Sequence, residues 1–209
     1  EKNRSATQFQ RLIDRIQDGH ISVPLNPLCV SLGGTPLEAV LRGMYYPGQI
    51  ERRFNLRFRL AYMMEDQTQP CGLASLWAGS GALFSWKGIC GCASMIPSAW
   101  DRQHDIYWAV GPDGSRVLMK WNSMLTSSMG MGGYAEARYP ASVVEYVDSD
   151  SGFIARYPYR IIGAFGKGWD DLKTMTSEFV TVAKGKTNSS RLVIVSSEED
   201  FFRDFEAVY

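Results

Sequence analysis

Apolar positions along the chain recur at two periods. Phe9, Leu12, Ile13 and Ile16 fall at helical spacing, and with Gly19 as a stop they predict a helix over 5–19. Residues 21–25 read as a short strand, and 26–34, with Pro27 and Gly33-Gly34, as a loop. A second helix opens at Thr35-Pro-Leu-Glu38. Thr35 suits the cap, Pro36 the first turn, and Glu38 the far half of a capping box. Its apolar stripe is Leu37, Val40, Leu41 and Met44, and Pro47-Gly48 interrupts it before 49–54. From Leu56 the pattern changes. Leu56, Phe58 and Leu60 alternate with Arg57 and Arg59, then the run turns wholly apolar to Met64. That is a strand with a buried far end. A short helix over 72–77, closed by Gly79 and Gly81, leads to a strand over 83–86 that ends at Lys87.

The clearest local signal is IYWAVGPDGSRVLMKW, residues 106–121. Two apolar and aromatic runs flank Gly111-Pro-Asp-Gly114, and this is a strand–turn–strand hairpin. Beyond it lie a Gly/Met/Ser loop at 127–133, a helix over 140–147 and a loop at 148–152. Residues 159–165 are apolar and rich in strand formers, and Gly166-Lys-Gly168 and Trp169-Asp170-Asp171 follow. A helix then runs to about Lys184 with an aspartate at its N-terminus, where a carboxylate is favoured. Residues 192–196 read as a strand. Ser197-Glu-Glu-Asp200 caps a last helix that buries Phe201, Phe202, Phe205 and Val208.

Strands alternate with helices along most of this map. The expected class is α/β, a largely parallel sheet or partial β/α barrel, with a β-hairpin insertion. The 209 residues suit one α/β domain. Sites in such folds gather at the C-terminal ends of strands. Three polar groups fall there: Glu65 with Asp66, Lys87, and the pair Asp170-Asp171.

Composition narrows the classes. Apolar residues make up 45%, enough for a sizeable core. Lys+Arg and Asp+Glu are both 22, so no basic surplus speaks for nucleic acid. No apolar run reaches transmembrane length. The chain starts at Glu1 without a signal-peptide pattern, as expected of a piece of a larger catalytic domain. Its compartment stays open. Cys29, Cys71, Cys90 and Cys92 match no disulfide framework or zinc knuckle and read as buried structural thiols. Each polar candidate also has a plain structural reading. Asp170-Asp171 is a helix cap, Glu65-Asp66 a solvated turn, and Lys87 a surface lysine. His20 and His104 both read as polar loop residues.

The order of these pieces resembles the catalytic domain of glycoside hydrolase family 38, the α-mannosidase-like enzymes. In AYMMEDQTQPCGLASLWAGSG, a strand leads to an acidic residue, a proline and a helix closing in Ala-Gly. The basic residue of FSWKG follows, then the hairpin WAVGPDGSRVLMKW. FGKGWDD looks like the family's strand ending in Gly-Asp-Asp, and RLVIVSSEEDFFRDF like its following strand and Phe-rich helix. The resemblance runs over most of the chain.

It implies retaining hydrolysis of glycosidic bonds, which needs two carboxyl groups about 5–5.5 Å apart. Glu65, with Asp66 as the other choice, would be the nucleophile and a zinc ligand. Asp171 would be the acid/base. Asp170 would be its charged neighbour, raising its pKa so that it can donate a proton. Lys87 and Trp169 would contact a carbohydrate substrate. Zinc is the implied cofactor, acting as a Lewis acid. The family's His-x-Asp is absent, so most zinc ligands would lie outside this chain, and the remainder of the catalytic domain is an implied partner. In isolation the segment is expected to be inactive. The other class in play is a non-catalytic carbohydrate-binding or structural domain, because Met-Met-Glu-Asp-Gln stands where the family carries its aspartate motif. A deacetylase-type barrel would need an Asp/His/His set, which the sequence does not show.

Overall fold

The computed structural model describes residues 5–27, 32–63, 69–88, 104–122, 124, 136–166 and 177–209. Among them the elements run α1 (Ala6–Gln17), α2 (Leu37–Gly43), α3 (Tyr45–Phe54), β1 (Leu60–Met63), α4 (Leu73–Gly79), β2 (Phe84–Lys87), β3 (Ile106–Val110), β4 (Arg116–Trp121), α5 (Pro140–Ser149), α6 (Ser151–Arg156), α7 (Glu178–Lys186) and α8 (Glu198–Val208). The four strands form one open sheet in the order β1-β2-β4-β3. β1, β2 and β4 are mutually parallel, and β3 pairs antiparallel with β4 at the edge. The hairpin is therefore also the means by which the parallel sheet grows. Its second strand slots beside β2, and its first lies outermost.

Every residue of β1 and β2 is buried. This is the signature of a parallel sheet covered on both faces. Side chains alternate between the faces. Ala61, Met63, Val117 and Met119 pack with Leu73 and Trp77 of α4 and with Leu25, Val40 and Met44. Leu60, Tyr62, Phe84, Trp86 and Leu118 meet Phe201, Phe202 and Phe205 of α8. The Phe84 and Phe202 rings stack with centroids 4.9 Å apart. A third cluster joins Met124 to Tyr146, Phe153 and Tyr157 of the α5–α6 region.

The hairpin turn is braced from below. Ser75 of α4 donates a 2.6 Å hydrogen bond to Asp113 Oδ1, and the Ser115 N–H donates to the same oxygen at 3.0 Å. Gly111 lies so close to α4 that a Cβ there would stand 2.0 Å from Ser75 Oγ.

Several expectations need correction. Residues 21–25 form no strand; only Pro24 bridges to Leu60. Proline has no N–H for a ladder, and the Asn26 side chain takes over the pairing. Its Oδ1 accepts from the Tyr62 N–H and its Nδ2 donates to the Tyr62 carbonyl, both at 2.8 Å. Thr35 does not cap α2. Pro36 occupies that position without a side-chain bond, and Glu38 pairs with Arg42 at 2.8 Å. The break between helices falls at Met44, and Pro47 sits in the first turn of α3, where its missing N–H costs nothing. The ladder of β1 begins only at Leu60.

The loop expected at 148–152 is a helix junction. Asp150 Oδ1 accepts from the Phe153 N–H at 2.6 Å and starts α6. Residues 159–165 and 192–196 form no strand and join no ladder. In the second run the Thr187 hydroxyl accepts from the Val193 N–H at 3.0 Å, as a strand neighbour would. Leu192, Ile194 and Val195 are exposed. The capping box of α8 is present, whereas Val208 is exposed and not part of the core. Cys71 is exposed too, contrary to a buried structural role. Cys29, Cys90 and Cys92 lie outside the described residues, and so does the expected start at Asp170-Asp171 of the helix running to Lys184, whose described part is α7.

Candidate functional site

Parallel pairing brings the ends of β1, β2 and β4 to one edge of the sheet. Met63 is level with Lys87, and Lys87 with Trp121. One step earlier Tyr62, Trp86 and Lys120 form the adjacent row. Alternation sends the two lysines to opposite faces. Because β3 runs the other way, its first residue Ile106 also reaches this edge, opposite Lys120.

Both lysines are buried, Lys87 at 2% and Lys120 at 0% exposure. The surface role for Lys87 is thereby overturned. Lys87 Nζ donates to the Gly88 carbonyl at 2.7 Å and stands 5.4 Å from the centre of the Trp121 ring. Lys120 Nζ lies over the Trp86 ring at 4.4 Å, donates to the Trp121 carbonyl at 3.1 Å and sits 3.6 Å from Glu136 Oε2. A buried ammonium is tolerable only with such partners. The Trp86 indole N–H donates to Asn122 Oδ1 at 2.7 Å, and the Asn122 N–H donates to the Lys87 carbonyl at 2.8 Å. These bonds hold the β2 and β4 ends together beyond their ladder.

Behind this edge, Tyr62 donates to Glu198 Oε1 at 2.6 Å. Burial, and then the Glu198 charge, push its phenol pKa well above the usual range. Asp105, buried just before β3, accepts from Arg156 Nε at 3.1 Å. Phe165 packs edge-on against Tyr62 with centroids 5.8 Å apart and tilts against Trp86 at 6.2 Å. The run over 161–166 therefore ends beside the tips of β1 and β2.

Of the residues singled out from sequence, Lys87 is at this edge. Glu65, Asp66, Trp169, Asp170 and Asp171 lie outside the described residues, and so does the Glu65–Asp171 separation. Their points of departure are within them. Residues 64–68 follow directly from Met63, and 167–176 from Gly166. His20 is elsewhere, paired with Asp18 at 2.7 Å near the opposite end of the sheet. A cleft of about 560 Å³ there is lined by Asp18, Ser22, Arg57, Arg59 and Asp200 among others. Acids beside it are matched locally, Asp18 by Arg15 and Glu199 by Arg203.

Lys120, Asn122 and Glu136 were missed in the sequence reading. For Lys120 a signal existed. It interrupts the run Val117-Leu-Met119 at a position level with Trp86, and a charge inside an otherwise apolar strand marks a buried partner. Glu136 has no such signal, since the groups it binds come from distant parts of the chain.

No family model matches the chain, and no curated protein does. Among solved structures, an α-mannosidase from Enterococcus faecalis V583 aligns over 96% of this chain and 22% of its own, with TM-score 0.64 and 10% identity. A protein in glycosyl hydrolase family 38 from Enterococcus faecalis aligns over 97% and 20%, with TM-score 0.58 and 11% identity. The chain has the fold of a segment of these family 38 proteins. It spans about a fifth of the length of the structures it matches. The open, mostly parallel sheet with helices on both faces is the family 38-like segment expected from the sequence order.

Zinc must be tested against the donors present. Among the described residues no group of three His, Cys, Asp or Glu side chains can hold a metal ion. The edge offers two lysines, an asparagine, and a glutamate engaged by two N–H groups. Cations and a saturated carboxylate are not a zinc donor set. Among the described residues, no helix is long and apolar enough to cross a membrane.

Proposed function

We propose that this chain is the carbohydrate-handling segment of a family 38-like glycosidase acting on α-mannosides by retention. The observation that carries the reading is the edge itself. β1 ends two residues before Glu65, and the run over 159–166 ends beside it, four residues in sequence before Asp170. In this reading Glu65 or Asp66 attacks the anomeric carbon. Asp171 protonates the leaving oxygen and then deprotonates water, with Asp170 raising its pKa. Lys87 keeps the nucleophile ionised or meets a sugar hydroxyl, and Trp169 supplies an apolar platform. Zinc belongs to this reading only through Glu65, with further ligands from the remainder of a larger catalytic domain. The described residues do not form its site, and no step above runs through it.

The experiment is hydrolysis of an aryl α-mannoside by the chain, alone and within a longer polypeptide that contains it, with the anomer of the first product read by NMR. Asp171→Asn is expected to lower turnover by about a hundredfold to ten-thousandfold, as loss of an acid/base group does, without unfolding. Unchanged turnover removes the assignment.

A second reading is a carbohydrate-binding or structural domain without turnover. It is favoured by Met-Met-Glu-Asp-Gln, residues 63–67, which stands where the resembled family carries its aspartate motif. Mannoside binding with no hydrolysis in either polypeptide supports this alternative.

A further inference from the structure

We propose that Glu136 is the positioning residue of the candidate site, fixing the run that leads into Asp170 and Asp171 against the end of β4. The proposal rests on the glycosidase reading for its consequence, but its geometry stands apart. Glu136 is fully buried, and its two carboxylate oxygens are divided between two segments. Oε1 accepts from the Met124 N–H at 3.0 Å, and Oε2 from the Phe165 N–H at 2.9 Å. The next residue completes the grip, because the Ala137 N–H donates to the Phe165 carbonyl at 2.8 Å. Phe165 is thus held at both its N–H and its C=O by two consecutive residues, although it belongs to no ladder. Lys120, 3.6 Å away, supplies the opposite charge from the end of β4.

The chemistry calls for a carboxylate. Two N–H donors arrive from two directions, so two acceptor atoms are needed, and glutamine offers one oxygen and an amide that is itself a donor. The carboxylate joins three pieces of chain at one point: Met124, three residues past the end of β4, the tip of β4 at Lys120, and Phe165, five residues ahead of Asp170. The Phe165 ring then carries this register to Tyr62 and Trp86 at the β1 and β2 ends. A retaining site depends on the separation of its two carboxyl groups. In the glycosidase reading Glu136 acts on that separation only through the run it anchors, which is described as far as Gly166, and without touching substrate.

Hydrogen exchange tests the clamp directly. In the unaltered chain the Phe165 amide is expected to exchange as slowly as amides of β4, despite having no strand neighbour. In Glu136→Gln its protection is expected to fall about tenfold, the effect of one lost hydrogen bond, while the Phe202 amide in α8 stays unchanged. Fast exchange at Phe165 in the unaltered chain overturns the proposal, and so does native protection in the variant. The first of these needs no variant to fold. Where turnover is present, Glu136→Gln is expected to lower kcat about tenfold with KM unchanged, and an unchanged kcat overturns the positioning role. A longer polypeptide containing the chain that hydrolyses nothing but shows the exchange pattern retains the clamp and loses the glycosidase reading.

Discussion

The Tyr62 hydroxyl donates a 2.6 Å hydrogen bond to Glu198 Oε1, tying the buried strand β1 to the first turn of α8. The bond spans 136 positions of the chain. It fixes the height of α8 on the sheet, so Phe201, Phe202 and Phe205 meet Phe84 and Trp86 in register. An acid in the first turn of a helix is already favoured there, and the phenol gives Glu198 a second reason to hold its position.

Tyr62 should make the fold sensitive to alkali. Burial and the Glu198 charge raise its folded pKa above that of an unfolded tyrosine, about 10. Stability from a raised pKa is complete below the unfolded value and is lost as pH rises above it. Above pH ~10 the unfolded chain releases a proton that the folded chain keeps, so unfolding free energy should fall by about 1.4 kcal/mol per pH unit for this tyrosine. Tyr157, raised by burial and then by Asp105 and Glu136, adds in the same direction. Urea titrations between pH 8 and 11 should show this slope, reduced in Tyr62→Phe. Equal slopes in the two proteins would remove Tyr62 as its source.

The hairpin turn gives a sharper steric test. Gly111→Ala would place a methyl group 2.0 Å from Ser75 Oγ and 2.7 Å from the Ser75 backbone nitrogen. The expected cost is about 1–3 kcal/mol, the usual range for overpacking. Adding Ser75→Ala should not restore stability, because the backbone nitrogen remains. Hydrogen bonds from Ser115 and Ser75 hold the Asp113 carboxyl down to about 2. A depressed pKa contributes stability above the unfolded value near 4 and loses it as pH falls towards 2. In Ser75→Ala the NMR titration midpoint of Asp113 should move upwards. An unmoved midpoint would show that Ser75 does not hold the carboxylate.

What the sequence revealed follows from how local each determinant is. The hairpin, the α8 capping box and the apolar runs of β1 and β2 are written in adjacent residues, and their periods survive into the structure. Pairing is not local. Residues 159–165 and 192–196 have the composition of strands, yet their backbone groups answer to Glu136 and to Thr187. Asn26 imitates a strand with an amide side chain, which no periodicity reveals. At the site, Lys87 was legible from its place after an apolar run. Its burial was not, since that depends on Trp121 coming alongside from the hairpin. The order of motifs carried the family 38-like fold, although only 10–11% of residues are identical to the matched structures.

Helix α8 separates buried from exposed apolar positions within one helix. Phe202 is fully buried against Phe84 and Trp86, whereas Val208 is 55% exposed. Phe202→Ala should cost about 3–5 kcal/mol through lost burial and a cavity. Val208→Ser should stay within about 0.5 kcal/mol, as surface changes do. Denaturant melts of the two variants measure the contrast. A costly Val208→Ser would mean that this end of α8 is covered in solution.

Lys87 provides the test that separates packing from chemistry at the strand ends. Lys87→Met keeps the length and most of the volume of the stem, so β2 should retain its place between β1 and β4. The variant gives up the hydrogen bond to the Gly88 carbonyl and the contact with the Trp121 ring, a loss on the order of 1–3 kcal/mol. Lys87→Arg keeps the charge but forces a larger, planar head into a site with 2% exposure, and overpacking should make it at least as destabilising. The two variants therefore part company in function. If Lys87 serves only to fill the strand end, mannoside binding follows stability, and the methionine variant binds as well as the parent wherever it is folded. If Lys87 holds an acidic partner or a sugar hydroxyl, the methionine variant loses binding while its near-ultraviolet circular dichroism stays native. Calorimetric titration of both variants with a mannoside, at a temperature where each is folded, decides between these outcomes, and the glycosidase reading requires the second.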